Sequence, residues 1–457
     1  MPLPHFPPGF RFGVATSAFQ IEGAADLDGK GPSIWDTFTA RPGTVRHGDD
    51  ARVAIDHYHR YAEDVTHIAD LGAHDYRFSI SWPRVVPQGK GPVNHLGLDF
   101  YDRLVDRLLA AGVRPVPTLY HWDLPQALED AGGWMARDTA HALADYAAVV
   151  ADRLGDRVRD WITLNEMNVQ TLYGYALGDH APGRALGLAA LPAVHHQLLA
   201  HGLTVQALRA CGAATVGVAT QHFPVTAATG SPGDRTAAGL FSALTNWAFA
   251  DPILRGEYPD ETIRDDVRSS TLDADLALIA APLDFYGVNY YEPVAIEAPR
   301  ADKDYRGVLE VDIPAGLPFS PVRVESPQRT DFGWPIVPSG LTEILRTLAD
   351  RYPNLPPVVV TENGASFHDS PTGDAVHDPR RIAYLDAHIR AVADAIAGGV
   401  DVRGYYVWSA LDNFEWAAGY EERFGLVHVD RGTLARTRKD SWYWLRDQIP
   451  QLTRMPG

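Results

Sequence analysis

Short, nearly continuous apolar runs recur along the chain, each closed by a polar or aromatic cluster and followed by a stretch of helical periodicity. Eight such runs predict strands at Phe12–Ser17, Ala73–Trp82, Val113–Trp122, Trp161–Glu166, Thr215–His222, Phe285–Tyr291, Pro357–Glu362 and Gly404–Ser409. Runs that do not alternate with polar residues indicate parallel strands covered on both faces. In Leu98–Ala111, Tyr101, Leu104, Val105, Leu108 and Leu109 form one apolar stripe and Gly112 supplies the stop. Asp138 reads as the N-cap of a helix carrying Leu143, Tyr146, Ala147, Val150 and Leu154, with Gly155 beyond it. Asp378-Pro379 opens another, with Ile382, Leu385, Ile389, Val392 and Ile396 on its buried side. Eight strand–helix alternations favour a closed barrel over a doubly wound sheet, which usually has fewer strands. The expected fold class is α/β, a single (β/α)₈ TIM barrel with extended βα loops, one domain over residues 1–457. The segment Ala298–Gly333 is irregular and long; following the sixth strand, it is expected on the face formed by the strands' carboxyl ends.

Composition narrows the function classes. With 46% hydrophobic and 21% charged residues over 457 positions, the chain has ample material for a core. A net charge of −18 without blocks of like charge argues against nucleic acid as a partner. No stretch approaches the length of a membrane span, and the proline-rich start, Met1 to Phe10, does not read as a secretory signal. The lone cysteine, Cys211, excludes an internal disulfide and is expected to be a small buried hydrophobe. A reducing cytoplasm is the expected setting. The histidines are dispersed and His-Glu-x-x-His is absent, so neither a metal nor any other cofactor is implied. Gly23–Gly31 lacks the spacing of a phosphate loop.

Barrel enzymes build their sites from residues at the carboxyl ends of the strands. Those ends read Ser17-Ala18-Phe19-Gln20, Arg77-Phe78-Ser79-Ile80-Ser81-Trp82, His121-Trp122-Asp123, Asn165-Glu166, Asn289-Tyr290-Tyr291, Glu362-Asn363 and Trp408, with Glu415-Trp416 after the eighth strand. Amides, imidazole and carboxylates suit a ring of hydroxyls, and indoles suit the C–H face of a sugar. Glu166 ends the fourth strand and Glu362 the seventh, on opposite sides of a barrel. Glycoside hydrolysis needs such a pair, one carboxyl to protonate the leaving oxygen and one to attack or to activate water.

From about Phe10 to Trp444 the sequence resembles the family 1 glycoside hydrolases, the β-glucosidase family. The resemblance is carried by Asn165-Glu166, Thr361-Glu362-Asn363-Gly364, Ser17 to Gly23, His121-Trp122-Asp123-Leu124-Pro125 and Trp408 to Trp416. It implies a retaining β-glycosidase with Glu166 as acid/base and Glu362 as nucleophile. Arg77, Asn289 and Tyr291 would support the two carboxyls. Gln20, His121, Asn165, Glu415 and Trp416 would bind the glycone over Trp408, and Trp122, Trp334 and Phe424 would line its boundary with the aglycone. The substrate implied is a small β-glycoside or oligosaccharide; β-glucosides fit, and the same contacts often accept β-galactosides and β-fucosides. The family usually has proline after the acid/base residue, where this chain has Met167.

Branches of the family separate by local chemistry. The phospho-β-glycosidases resemble this chain but place Ser, Lys and Tyr at the positions of Glu415, Glu422 and Phe424; two carboxylates there would repel a 6-phosphate. Thioglucosidases replace the acid/base with Gln, whereas Glu166 is intact. A catalytically inactive sugar-binding protein on the same fold is disfavoured by retention of both glutamates, Arg77 and Tyr291. A Schiff-base barrel enzyme is disfavoured because Lys30, Lys90, Lys303 and Lys439 all lie outside the strands.

Overall fold

Eight parallel strands close on themselves in the computed structural model, which describes residues 3–267, 271–305, 308 and 316–452. They are β1 (Arg11–Ala15), β2 (Asp75–Ser79), β3 (Arg114–Tyr120), β4 (Asp160–Asn165), β5 (Thr215–Gln221), β6 (Phe285–Asn289), β7 (Val358–Asn363) and β8 (Val402–Trp408). Each pairs with its sequence neighbours, and β1 closes the ring on β8. Four predicted apolar runs contain one of these strands whole, in the other four a strand end falls one or two residues outside the run, and every run overlaps a strand. Burial on both faces explains why: all six residues of β4 and of β7 are buried, so no polar alternation survives.

The barrel interior is filled, not hollow. Val116, Ile162, Ala219, Phe285, Val359 and Tyr406 meet inside it. The Phe285 ring occupies the space where a side chain at Gly217 would go, a Cβ there meeting the ring at 2.5 Å. At the amino ends of the strands, Asp75 accepts from the Tyr406 hydroxyl at 2.6 Å and from Arg114 at 2.9 Å, with Arg11 bridging Asp75 and Asp160. This charged floor is the stability end of a barrel; the carboxyl ends are left for chemistry.

The outer helices bury their apolar stripes against the strands. His95–Ala110 buries Tyr101, Leu104, Val105 and Leu108, but Leu109 is 40% exposed, because the stripe is narrower than the run of leucines suggests. Asp138 is the first helical residue of Asp138–Leu154 and Arg137 stands at the cap, so Asp138 does not cap the helix; Gly155 ends it as expected. Asp378 stands at the N-cap of the helix Pro379–Ala397 as read, but its carboxylate bonds no backbone N–H of the first turn; it accepts from Arg381 Nε of that helix at 2.9 Å and, from another element, from the Ser441 backbone N–H at 2.7 Å and the Ser441 hydroxyl at 2.5 Å. In that helix Leu385, Ile389 and Val392 are buried, while Ile382 and Ile396 are only partly so. Cys211 caps the end of Leu191–Ala210 and is exposed, which corrects its expected burial. Trp442 is buried and Trp444 partly buried against the core.

Within Ala298–Gly333, residues 306, 307 and 309–315 lie outside the described residues. Of the remainder, Ser320–Val322 is a strand in a small sheet with Val294–Glu297 and Val225–Ala227, packed through Phe241 and Phe319. Phe332 reaches the mouth of the barrel beside Trp334. Among the described residues no helix is long and apolar enough to cross a membrane, and no group of three or more His, Cys, Asp or Glu side chains is placed to hold a metal ion.

Candidate active site

Two buried carboxyls face one cleft at the carboxyl ends of the strands, and their surroundings differ. Glu362, on β7, accepts from Arg77 Nη1 at 2.5 Å on one oxygen and from the Tyr291 hydroxyl at 2.7 Å on the other. Arg77 comes from β2 and is held by the Thr361 carbonyl at 3.0 Å and Asn165 Oδ1 at 2.5 Å. Glu166, just past β4, accepts instead from an uncharged donor, Asn289 Nδ2, at 2.6 Å. Its backbone N–H is anchored to the Ala219 carbonyl of β5 at 2.8 Å.

These environments separate the two acidities. Burial raises both carboxyls, since the charged form loses its water. For Glu362, the guanidinium of Arg77 and the hydrogen bonds from Tyr291, Arg77 and Asn289 oppose that rise. Glu166 goes well above the usual carboxylate range, because the negative charge of Glu362 adds to burial and outweighs its amide partners. The proton of the pair therefore resides on Glu166 and the charge on Glu362. Burial and the charge of Glu362 also hold the Tyr291 hydroxyl far above its ordinary value, so it remains a donor.

Three cleft residues adopt left-handed backbone, which side-chain-bearing residues rarely do: Trp122 (φ 73°), Glu166 (φ 47°) and Trp416 (φ 47°). At Glu166 this conformation turns the chain from β4 into the short helix Met167–Val169. Met167 is its first residue, where the N–H lacks an intrahelical partner, so methionine satisfies the same position as proline.

The polar wall opposite is a chain of hydrogen bonds. Asn165 meets His121 Nε2 at 3.1 Å, and burial beside Arg77 keeps that imidazole neutral. Gln20 receives the Ser17 hydroxyl at 2.6 Å and donates to the Phe414 carbonyl at 2.8 Å and Glu415 Oε2 at 3.3 Å. Indoles supply the flat surfaces. Trp416 lies 4.7 Å from Trp122 between ring centres, and Trp408 stacks on His121 at 5.8 Å. Tyr291, Phe332, Trp334 and Phe424 pack together at the rim.

The structure thus brings together every residue singled out from the sequence. His121, Trp122, Glu166, Tyr291, Trp334, Glu362, Trp408, Glu415, Trp416 and Phe424 line the cleft directly. Gln20, Arg77, Asn165 and Asn289 are bonded to those lining residues. The sequence reading misses Val169, Tyr173, His180, Gln221, Phe223 and Glu292, which also line it. Gln221 ends β5, the one strand end from which no candidate was drawn, and that position is the signal that could have found it. Val169, Tyr173 and His180 belong to the connection after β4, where nothing in the residue types marks a wall of the cleft. Burial holds the His180 imidazole at about 4, hence uncharged at neutral pH.

Known proteins agree with this picture over nearly the whole chain. Residues 3–452 match the model of glycosyl hydrolase family 1. The thermostable β-glucosidase B of Thermobispora bispora is 49% identical over 449 residues, 97% of this chain and 90% of that protein. A bifunctional β-D-glucosidase/β-D-fucosidase of Bifidobacterium breve is 44% identical over 96% of this chain and 97% of its own length. Among solved structures, the psychrophilic β-glucosidase of Micrococcus antarcticus superposes with a TM-score of 0.93 at 45% identity, covering 98% of both chains. The paired glutamates, the closed barrel and these likenesses together place the chain in glycosyl hydrolase family 1.

Proposed function

We propose that this protein is a retaining β-glycosidase that removes non-reducing terminal β-linked sugars, β-glucosides foremost, with Glu166 as acid/base and Glu362 as nucleophile. The observation that carries the assignment is the unequal setting of the two buried carboxyls: Glu362 is held by the charged guanidinium of Arg77 and by the Tyr291 hydroxyl, Glu166 by the uncharged amide of Asn289. An ionised Glu362 attacks the anomeric carbon while Glu166 protonates the departing oxygen. Once Glu362 is esterified its charge is gone, the charge that adds to burial in raising the Glu166 pKa disappears, and Glu166 ionises to activate the incoming water. Two inversions restore the β configuration.

Gln20, His121, Asn165, Glu415 and Trp416 bind the glycone hydroxyls over the Trp408 floor in this reading. Trp122, Trp334 and Phe424, with Tyr173 and His180, form the aglycone side. The name of the Bifidobacterium breve relative supports including β-fucosides among the substrates, and structures of the Thermotoga maritima β-glucosidase with deoxynojirimycin and with galacto-hydroximolactam support a pocket that takes sugar-shaped ligands, β-galactosides included. Residues 1–457 act as one catalytic unit.

The double displacement requires the carboxyls of Glu166 and Glu362 to stand about 5–5.5 Å apart and the first-formed sugar to be the β anomer. Proton NMR of an aryl β-glucoside during the first minutes of hydrolysis reads this directly. Initial accumulation of the α anomer would overturn the mechanism.

A further inference from the structure

Thr361 precedes the nucleophile on β7 and is fully buried, but its side chain turns away from Glu362 toward β6. There its hydroxyl donates to Asn289 Oδ1 at 2.6 Å. The same amide, through Nδ2, donates to Glu166 Oε1 at 2.6 Å and to Asn165 Oδ1 at 3.1 Å. Space for Thr361 is reserved by Gly287, where a Cβ would stand 2.9 Å from both Oγ1 and Cγ2 of the threonine.

An asparagine amide is nearly symmetrical in shape and takes its orientation from its partners. Here Asn165 Oδ1, fixed as an acceptor by Arg77 Nη2 at 2.5 Å, favours the Asn289 NH₂ on its side through a longer bond of 3.1 Å, and the shorter contact at the other end of the amide completes the choice. The carbonyl then points the other way, and Thr361 is the donor that receives it. Without that hydroxyl, Asn289 Oδ1 becomes a buried acceptor without a partner, which is costly. The proton of Glu166 lies at the opposite end of the same amide and is the donor within reach.

We propose that Thr361 is a positioning residue for the acid: its hydroxyl keeps the Asn289 N–H, and not the carbonyl, turned toward Glu166, so that Glu166 releases its proton to the leaving group. The inference rests on the assignment of Glu166 as acid/base. A donated N–H stabilises the Glu166 carboxylate; an amide carbonyl in its place would accept the Glu166 proton and hold it. The other groups facing Glu166 are Glu362 from β7, Arg77 from β2, Asn165 from β4 and Tyr291 after β6, and the neutral His121 from β3 lines the same cleft. Loss of one hydroxyl on Thr361 leaves all of their charges in place, and the Thr361 carbonyl that binds Arg77 belongs to the backbone.

The test is the pH dependence of kcat/KM for Thr361→Val, Thr361→Ala and Thr361→Ser with phenyl β-glucoside and dinitrophenyl β-glucoside. In Thr361→Val and Thr361→Ala the alkaline limb is expected to move up by about one unit, the size set by one hydrogen bond to a charged group. Phenyl glucoside, which needs protonation, should lose about tenfold or more at neutral pH, and dinitrophenyl glucoside about twofold or less. Thr361→Ser should restore both the limb and the leaving-group ratio. Thr361→Ala adds no methyl against Gly287, so either deletion that folds gives the answer; if neither folds, an unmoved alkaline limb in Asn289→Ala overturns the proposal, because the amide then has no hold on the acid. Equal losses on both substrates with an unmoved limb, or failure of serine to restore it, likewise overturn it. Failure of the underlying assignment looks different: the wild-type alkaline limb with phenyl glucoside would then persist in Glu166→Gln.

Discussion

The Tyr291 hydroxyl donates to Glu362, the proposed nucleophile, and removing it in Tyr291→Phe gives a change whose size and sign follow from the geometry. It donates to Glu362 Oε2 at 2.7 Å, in a pocket where Glu362 is 2% exposed. A hydrogen bond to a charged group contributes about 1.5–3 kcal/mol, and one pKa unit corresponds to about 1.4 kcal/mol, so the Glu362 acidity should weaken by about one to two units. Glu362 must be ionised to attack. Its loss of support therefore moves the acid limb of kcat/KM to higher pH, while the alkaline limb, set by Glu166, stays in place or rises. The plateau should fall less than the full bond energy predicts, since that bond also weakens as Glu362 loses its charge in the transition state. The assay is a pH–rate series with an aryl β-glucoside at substrate concentrations far below KM. An acid limb that stays put or moves to lower pH would refute the role given to Tyr291.

Three further changes probe other parts of the molecule. Asp75→Ala strips the barrel floor of the carboxylate that Arg11, Arg114 and Tyr406 share, and should cost about 3 kcal/mol in urea unfolding without altering kcat, because the floor is at the end away from the cleft; wild-type stability would contradict the network's importance. Glu415→Ser removes a charged acceptor bonded to Gln20 and should weaken transition-state binding of aryl glucosides by about 1.5–3 kcal/mol; a loss under about twofold would remove Glu415 from the glycone site. Cys211 is exposed and does not line the cleft, so alkylation of the native protein with iodoacetamide should go to completion, read by mass spectrometry, with activity retained; loss of activity on alkylation would contradict this.

The barrel strands are legible in the sequence because both of their faces are buried, which turns each into an unbroken apolar run. The clusters at their ends are legible for the complementary reason: Gln20, Arg77, His121, Asn165, Glu166 and Glu362 are polar residues where a core strand should not carry them. Resemblance to a known family then attaches roles to those positions, which periodicity cannot do. What escapes are features decided by tertiary distance. Asp378 opens its helix as the sequence indicates, but the sequence does not show that its carboxylate, besides Arg381 in the first turn, also takes Ser441, sixty-three positions along the chain. Leu109 and Cys211 are apolar by type and exposed by position, since a helix rotates past the strand surface before the hydrophobic letters run out. Val169 and Tyr173 wall the cleft from the irregular helix after Glu166, and their residue types do not distinguish them from ordinary packing. Thr361 escapes because the hydroxyl's partner lies on another strand.

The central claim, that Glu166 is the acid/base and Glu362 the nucleophile, is tested most directly by the anomeric configuration of the glucosyl azide formed by each alanine variant. In Glu166→Ala, dinitrophenyl glucoside needs no protonation to leave, so Glu362 is still glycosylated; azide then attacks that intermediate without a base and releases β-glucosyl azide. In Glu362→Ala the nucleophile is gone, and azide attacks the substrate from the vacated side, giving the α-azide. Opposite anomers, β from Glu166→Ala and α from Glu362→Ala, are the predicted result. The same anomer from both variants, or the reverse assignment, would contradict it.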